Sequence, residues 1–312
     1  MILVAGSANL DFVVRAPHIP EPGETVLGHD FKTYPGGKGA NQAVACARAG
    51  GAPTHMLLAL GLDAFAESLE ASLKASAVET HLVRVSDLPT GTAFICVSDD
   101  AENAITVAPG ANLALRADHL PALGGFTHLL MQLESPLETV MAYAHAAKAQ
   151  GVQVVLNAAP AQPLPYELMT LLDGLIVNEG ELAVLAGQHG SVANDLARLT
   201  VPCVVVTLGH RGACARSDGA LTFQPAFDVI PVDSTGAGDT FCGVLVATLS
   251  QGQGLPQAMS LASAAGALAC TRPGAQSSIP EQPEVAAFLA TQPSASADAV
   301  ARLRIYCGFD KA

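Results

Sequence analysis

Residues 233–243 read Asp233-Ser-Thr-Gly-Ala-Gly-Asp239-Thr-Phe-Cys-Gly243, and their types and order could hold a phosphate beside a base. Gly236, Ala237 and Gly238 stand between an apolar, β-type run (227–232) and a helical run predicted over Thr240–Ser250. A turn of small residues entering a helix leaves several backbone N–H groups unpaired and adds the positive end of the helix dipole, which suits an anion. Asp239, on the lip of that turn, could take a proton from a hydroxyl while the N–H groups neutralise a phosphoryl group in transfer. The same residues also describe an ordinary helix start capped by an aspartate, and this stretch alone leaves both readings open.

A second small-residue stretch, Gly36-Gly37-Lys38-Gly39-Ala40-Asn41, opens a predicted helix in which Ala40, Ala43, Val44 and Ala47 share one face and Gly50-Gly51 follows the end. It is no Walker A loop, because no Gly-Lys-Ser/Thr closes it. Donors on Lys38 and Asn41 suit a polyhydroxylated ligand; a plain glycine turn is the other reading.

The elements that must position these groups alternate. β-type runs at Ile2–Gly6, His55–Gly61, His128–Leu133, Val152–Asn157, Gly174–Asn178 and Cys203–Gly209 are separated by helical patterns marked by Phe65, Leu69 and Leu73, by Leu137–Ala149 and by Glu181–Gly187. Continuous apolar strands alternating with helices predict a parallel sheet covered on both faces, with ligands at the strands' carboxyl ends. Residues 12–34, with Pro17, Pro20, Pro22 and Gly23, and residues 90–108, which read as a hairpin turning near Asp99–Asn103, break the rhythm and predict a small projecting sheet. Helix Pro256–Thr271 follows the opening motif, and residues 290–312 carry no assigned role.

Composition narrows the function classes. The 312 residues are 50% hydrophobic and only 14% charged, which argues for a packed α/β core rather than disorder. A net charge of −13, with Lys32, Lys38, Arg48 and Lys74 dispersed, argues against nucleic-acid binding. No run is long enough to span a membrane, and Met1–Gly6 reads as a strand rather than a signal peptide. Seven cysteines without metal or disulfide spacing fit free thiols in a reducing cytoplasm.

Taken together, the two small-residue stretches resemble the paired signatures of the PfkB carbohydrate kinase family, most closely its ribokinase branch. Gly6-Ser-Ala-Asn9-Leu-Asp11, Leu130-Met-Gln-Leu-Glu134-Ser-Pro, Asn178-Glu-Gly-Glu181, Thr207-Leu-Gly-His-Arg-Gly212 and Thr271-Arg-Pro-Gly-Ala-Gln276 extend the likeness, in the expected order, over about residues 3–290. Val107-Ala108-Pro109 and Leu10 depart from the usual ribokinase pattern and bear on sugar choice.

The resemblance implies a three-layer α/β/α sandwich with a mainly parallel sheet and a small β lid. It implies a kinase core of residues 1–11, 35–88 and 110–292, a lid of 12–34 and 89–109 clasping a homodimer, and a separate tail, 293–312. It implies an ATP-dependent kinase for the primary hydroxyl of a pentose, D-ribose foremost; another sugar or nucleoside, or a non-catalytic sensor, are the alternatives. Asp239 would be the base and Gly236, Ala237 and Gly238 the anion hole. Asn9 and Asp11, at the end of the first strand, would hold the sugar with Gly37, Lys38, Gly39, Asn41 and Glu134; Asn9 favours a sugar bearing a 2-hydroxyl. Asn178 and Glu181 would lie near the phosphates and Mg²⁺, with Thr207, Gly209 and Gly212 lining the nucleotide cleft and Ser263 near the adenine. An activating K⁺ would sit among Asp233, Thr235, Ala269, Arg272, Gly274 and Ser278.

Overall fold

A computed structural model describes residues 1–100, 102–187 and 190–310. The chain opens with β1 (Ile2–Ala5), passes into β2 (Asn9–Ala16) and β3 (Asp30–Gly36), and enters α1 (Lys38–Arg48). β4 (Thr54–Gly61), α2 (Ala64–Ala75) and β5 (Glu79–Val85) follow, then the hairpin of β6 (Gly91–Ser98) and β7 (Asn103–Ala108). Alternation resumes with β8 (His128–Met131), α3 (Leu137–Ala149), β9 (Gln153–Asn157), α4 (Tyr166–Leu171), β10 (Gly174–Asn178) and α5 (Glu179–Ala186). Next come α6 (Val192–Leu196), β11 (Cys203–Thr207), β12 (Gly212–Ser217) and β13 (Ala220–Pro225). Helices α7 (Ala237–Ser250), α8 (Leu255–Ala269), α9 (Gln282–Thr291) and α10 (Ala297–Cys307) end the chain.

Nine strands form one sheet in the order β13-β12-β11-β10-β9-β8-β1-β4-β5. Pairings from β11 through β5 are parallel, and only β12 and β13 join antiparallel. β1 shows why its sequence is apolar throughout: Ile2 and Val4 enter one core, Leu3 and Ala5 the other. The first core receives α1, α2, α7, α8 and α9, and the second receives α3, α4, α5, α6 and α10. Each fully buried aliphatic side chain contributes about 1.5–3 kcal/mol, so a strand buried on both faces is strongly held in register.

α1 and α7 approach closely in the first core. A Cβ on Gly243 would stand 2.5 Å from the Gln42 carbonyl oxygen and 2.6 Å from the Ala45 methyl group. The Cys46 thiol donates to the Gly243 carbonyl at 3.2 Å across the same contact.

The small sheet runs β3-β2-β6-β7, with β2 and β6 parallel at its centre and the outer pairs antiparallel. It is the small projecting sheet that the sequence predicts, but it starts earlier than expected. Asn9 and Asp11 do not end the first strand: β1 stops at Ala5, and both residues lie on β2 of the lid. Ala101, within the expected hairpin turn, and Lys311 and Ala312, within the tail, lie outside the described residues.

Two further expectations change. The run 227–232 pairs with no strand; it is an extended loop beyond edge strand β13, and Pro231 has no N–H to give a ladder. The helix expected from Thr240 begins at Ala237, so Gly238 and Asp239 lie in its first turn. Among the described residues no helix is long and apolar enough to cross a membrane.

Candidate active site

The parallel strands end on one side of the sheet, and polar groups follow those ends: the predicted Glu134 after β8, Asn178 closing β10 and Thr207 closing β11, joined by Ser7 after β1 and Asn157 closing β9. α7 points its first turn at the same place. Asp239 is the meeting point. Its Oδ2 accepts from Asn41 Nδ2 at 2.9 Å and its Oδ1 accepts from Gln42 Nε2 at 2.9 Å. Both amides come from α1, so the two small-residue stretches, nearly 200 positions apart, hold one carboxylate between them.

Gln42 is completely buried and central to a chain of amides. Its Nε2 also reaches Asn157 Oδ1 at 2.9 Å, and its Oε1 accepts from Gln132 Nε2 at 2.7 Å. Asn157 in turn donates to the Ile176 carbonyl at 3.1 Å. Buried amides paired in this way fix one another's orientation, because each unmade bond would leave a desolvated group. Two oxygens are exceptions: among the described residues Asn41 Oδ1 and Gln132 Oε1 are buried without a partner.

Gly236 begins α7 at φ 74°, a left-handed conformation that a side chain resists. The Ala275 Cα would lie only 3.0 Å from a Cβ there. No hydrogen-bond acceptor serves the amides of Gly236, Gly238 and Asp239 among the described residues, whereas Ala237 N–H donates to the Ser234 carbonyl at 3.2 Å. The free donors are therefore Gly236, Gly238 and Asp239. They open on a cleft of about 170 Å³ lined also by Lys38, Asn157, Asn178, Glu181 and Thr207.

Asn178 and Glu181 form a capping box: Asn178 Oδ1 accepts from Glu181 N–H, and Glu181 Oε2 accepts from Asn178 N–H, each at 2.8 Å. Helix capping and a place in the cleft thus coexist in one pair. Burial raises the Glu181 carboxyl above its ordinary value, opposed by the Asn178 amide and Lys38. Burial also pulls the Lys38 ammonium down, but Asp239, Glu134 and Glu181 together outweigh it and keep Lys38 charged.

On the lid side, Glu134 Oε2 accepts from Ser7 Oγ at 2.5 Å and from Lys38 N–H at 3.2 Å, while Ser7 Oγ receives Gly39 N–H at 3.3 Å. Gly37 stands just before the first turn of α1. Asn9 Oδ1 accepts from Asn112 Nδ2 at 2.7 Å, and Asn112 is itself held by the main chain of Ala8. That contact turns the Asn9 NH₂ group away from Asn112 as a donor. Asp11 is buried, and desolvation, with Glu134 and Asp239 nearby, pushes its carboxyl up to about 7 against the pull of Lys38. A cavity of about 440 Å³ opens between the lid strands, at Asp11, Arg15, Lys32 and Tyr34, and the loops of residues 231–235 and 273–275.

The expected cation positions come together only in part. Asp233 accepts Thr235 N–H at 2.9 Å and Gly274 N–H at 2.8 Å, and the Val232 and Asp233 amides both reach the Cys270 carbonyl. Burial favours a protonated Asp233, but the Gly274 and Thr235 donors, with Arg15, reverse this and hold it below the usual range. Arg272 turns its guanidinium to Glu284, and the Ser278 hydroxyl donates to the Ala275 carbonyl. Ala269 is buried at the end of α8. Ser263 and Gly212 line neither cavity, and Gly209 begins the short turn after Thr207.

A two-signature cleft of this kind has relatives. The description "pfkB family carbohydrate kinase" matches residues 1–282. This chain belongs to that family. As a pfkB kinase it is an enzyme, a phosphotransferase acting on a sugar hydroxyl. The ribokinase of Haemophilus influenzae is 38% identical over 304 residues, covering 92% of this chain and 98% of the relative. A ribokinase structure from Thermotoga maritima superposes with a TM-score of 0.83 at 36% identity, covering 93% of this kinase and 99% of that chain. The Arabidopsis thaliana ribokinase complexed with ribose and ATP gives 0.84 at 30% identity, with the same coverages.

Sequence reading missed four polar residues of this pfkB kinase site: Ser7, Gln42, Asn112 and Asn157. Ser7 and Gln42 lie inside or beside the blocks already singled out, so proximity was the available signal. Asn157 closes a predicted strand whose apolar run drew the attention. Asn112 gave no local signal.

Proposed function

We propose that this enzyme transfers the γ-phosphoryl group of ATP to the primary 5-hydroxyl of D-ribose, giving ribose 5-phosphate and ADP. The observation that carries the reading is the place of Asp239: at the first turn of α7, beside unpaired amides, with both carboxylate oxygens oriented by α1. Asp239 takes the hydroxyl proton, the freed oxygen bonds to the γ-phosphorus, and the bond to the β–γ bridging oxygen breaks. The Gly236 and Gly238 amides donate to the phosphoryl oxygens as charge builds on them. The ribose sits against Asn9, Asp11, Lys38, Asn41 and Glu134, where the unpartnered Asn41 Oδ1 and the outward Asn9 amide supply an acceptor and a donor. A sugar lacking the 2-hydroxyl leaves such groups unpaired and binds less well.

The donor set of the cleft fits a hard divalent cation. Glu181 offers a desolvated carboxylate and Asn178 lies beside it, so these residues would hold Mg²⁺ with the nucleotide, where the ion neutralises phosphate charge. The Asp233 carboxylate and the carbonyl-rich loops of residues 233–235 and 269–278 would hold K⁺, fixing positive charge beside the amides. The lid leaves Phe31, Phe94, Ile105 and Val107 exposed, which supports its pairing with a second copy. Free thiols at all seven cysteines support a reducing, cytoplasmic location.

A coupled ADP-release assay across ribose, deoxyribose, fructose and nucleosides tests the reading. The highest kcat/KM is expected with ribose, and lower activity on replacing K⁺ by Na⁺. A better substrate elsewhere in the panel overturns the sugar assignment, and no turnover with any substrate points to a sensor. Sedimentation velocity at assay concentration is expected to give a dimer; a monomer removes the lid clasp.

A further inference from the structure

The C-terminal helix lies beyond the residues matched by the family, which end at 282. α10 is nevertheless a built element. Ser296 caps it by accepting Ala299 N–H at 3.1 Å, Leu303 and Cys307 are buried against the second core, and Gly308 ends it in a left-handed turn. The Arg304 guanidinium lies over the Phe223 ring at 5.0 Å, and Phe309 meets that ring edge-on at 5.5 Å, so the helix is fastened to β13.

Its last turn reaches two other places. The Tyr306 hydroxyl donates to Glu179 Oε1 at 2.7 Å, and the Arg211 guanidinium lies 4.3 Å from the centre of the Tyr306 ring. Glu179 is the residue between Asn178 and the rest of the capping box, at the start of α5. Arg211 ends the short turn that follows Thr207, with its carbonyl bonded to Ala226 N–H. One side chain therefore bridges the turn carrying Asn178 and Glu181 to the turn after Thr207, and Asn178, Glu181 and Thr207 all line the 170 Å³ cleft.

We propose that Tyr306 is a positioning residue for the nucleotide, holding the 178–181 and 207–212 segments in one arrangement from outside the family's shared core. The inference rests on the ATP reading given above. It separates ligands: among the described residues no hydrogen bond, ion pair or ring contact joins α10 to the sugar groups on β2, α1 and after β8, so the tail is expected to act on ATP affinity.

The test is calorimetric titration of the full-length enzyme with ATP in the absence of sugar, together with steady-state kinetics and melting temperatures. Tyr306→Phe keeps the ring under Arg211 and removes the bond to Glu179; ATP Kd and KM are expected to rise roughly threefold. Tyr306→Leu removes both contacts and is expected to raise them roughly tenfold. Sugar KM and kcat stay within about twofold of wild type. Glu179→Ala, which leaves the Tyr306 hydroxyl no acceptor, should match Tyr306→Phe, and the double variant should add nothing further, the signature of one shared contact. Unchanged ATP affinity in Tyr306→Leu overturns the proposal. So does a parallel loss of ATP affinity, sugar affinity and melting temperature, which marks a merely structural helix. Wild-type enzyme that binds no ATP at all sinks the nucleotide reading itself, a result distinct from both.

Discussion

On the lid side of the cleft, Ser7, Asn9, Asn112 and Glu134 bond to one another or to the nearby main chain, whereas on the α7 side the amides of Gly236, Gly238 and Asp239 have no acceptor among the described residues. The first wall is finished before a ligand arrives, and its side chains have orientations to impose on a sugar. The second is a set of unspent donors on a left-handed glycine turn, suited to an anion. Under the proposed function, selectivity by arranged side chains and rate by preorganised backbone would fall to opposite walls. Asp239, tied to α1 but carried by α7, belongs to both.

The largest effect should come from the residue the walls share. Asp239→Asn is expected to lower turnover by about a thousandfold or more while the sugar still binds within about threefold, by calorimetry; near-wild-type turnover would remove the base. Gly236→Ala should break only the second wall. Its φ of 74° and the nearby Ala275 Cα predict a displaced turn, a fall in kcat of about 10–100-fold and an unchanged sugar KM. A higher sugar KM with intact kcat would contradict the division of labour. Asn112→Ala should break only the first: Asn9 loses its partner, and sugar KM rises about tenfold with ATP KM unmoved.

The last expected effect is on stability rather than on turnover or binding. The folded-state pKa of Asp11 stands at about 7, above its unfolded value of 3.8. Its contribution to stability is therefore fully present below pH 3.8 and is lost as pH rises through 7. The three-unit difference caps the loss at about 4 kcal/mol. In the sugar-free enzyme, Asp11→Asn should melt higher than wild type at pH 8 and lose that advantage near pH 4 in differential scanning calorimetry. A constant difference across pH would show that Asp11 is not held at that cost.

What could be read from the sequence was local. Gly36–Asn41 and Gly236–Asp239 announce themselves because each is a turn entering a helix, where small and polar residues have few other reasons to cluster. Asn112 could not be read, because its partner Asn9 is 103 positions away and joins it only when the lid folds onto β1. The start of the lid was misplaced for a related reason: only Gly6, Ser7 and Ala8 separate β1 from β2, so the passage between sheets looks like one strand. The run before the α7 turn has a strand's alternation but no neighbouring strand to pair with, and Ile230 is 87% exposed. In the tail, Ser296, the i, i+4 pair Leu303 and Cys307, and Gly308 spell a capped helix that its Ser-rich leader obscured.

The contact at Gly243 gives the site a mechanical property. The Asp239 carboxylate proposed as the base rides on one helix and the amides that aim it ride on another, and the gap between them is set where a hydrogen atom stands in place of a side chain. A methyl group there would press on Gln42 one turn beyond Asp239 and wedge the helices apart, so the first thing lost would be the aim of the carboxylate. Turnover in this enzyme is a ruler laid between α1 and α7, so changes buried deep in the first core should be felt as rate before they are felt as unfolding.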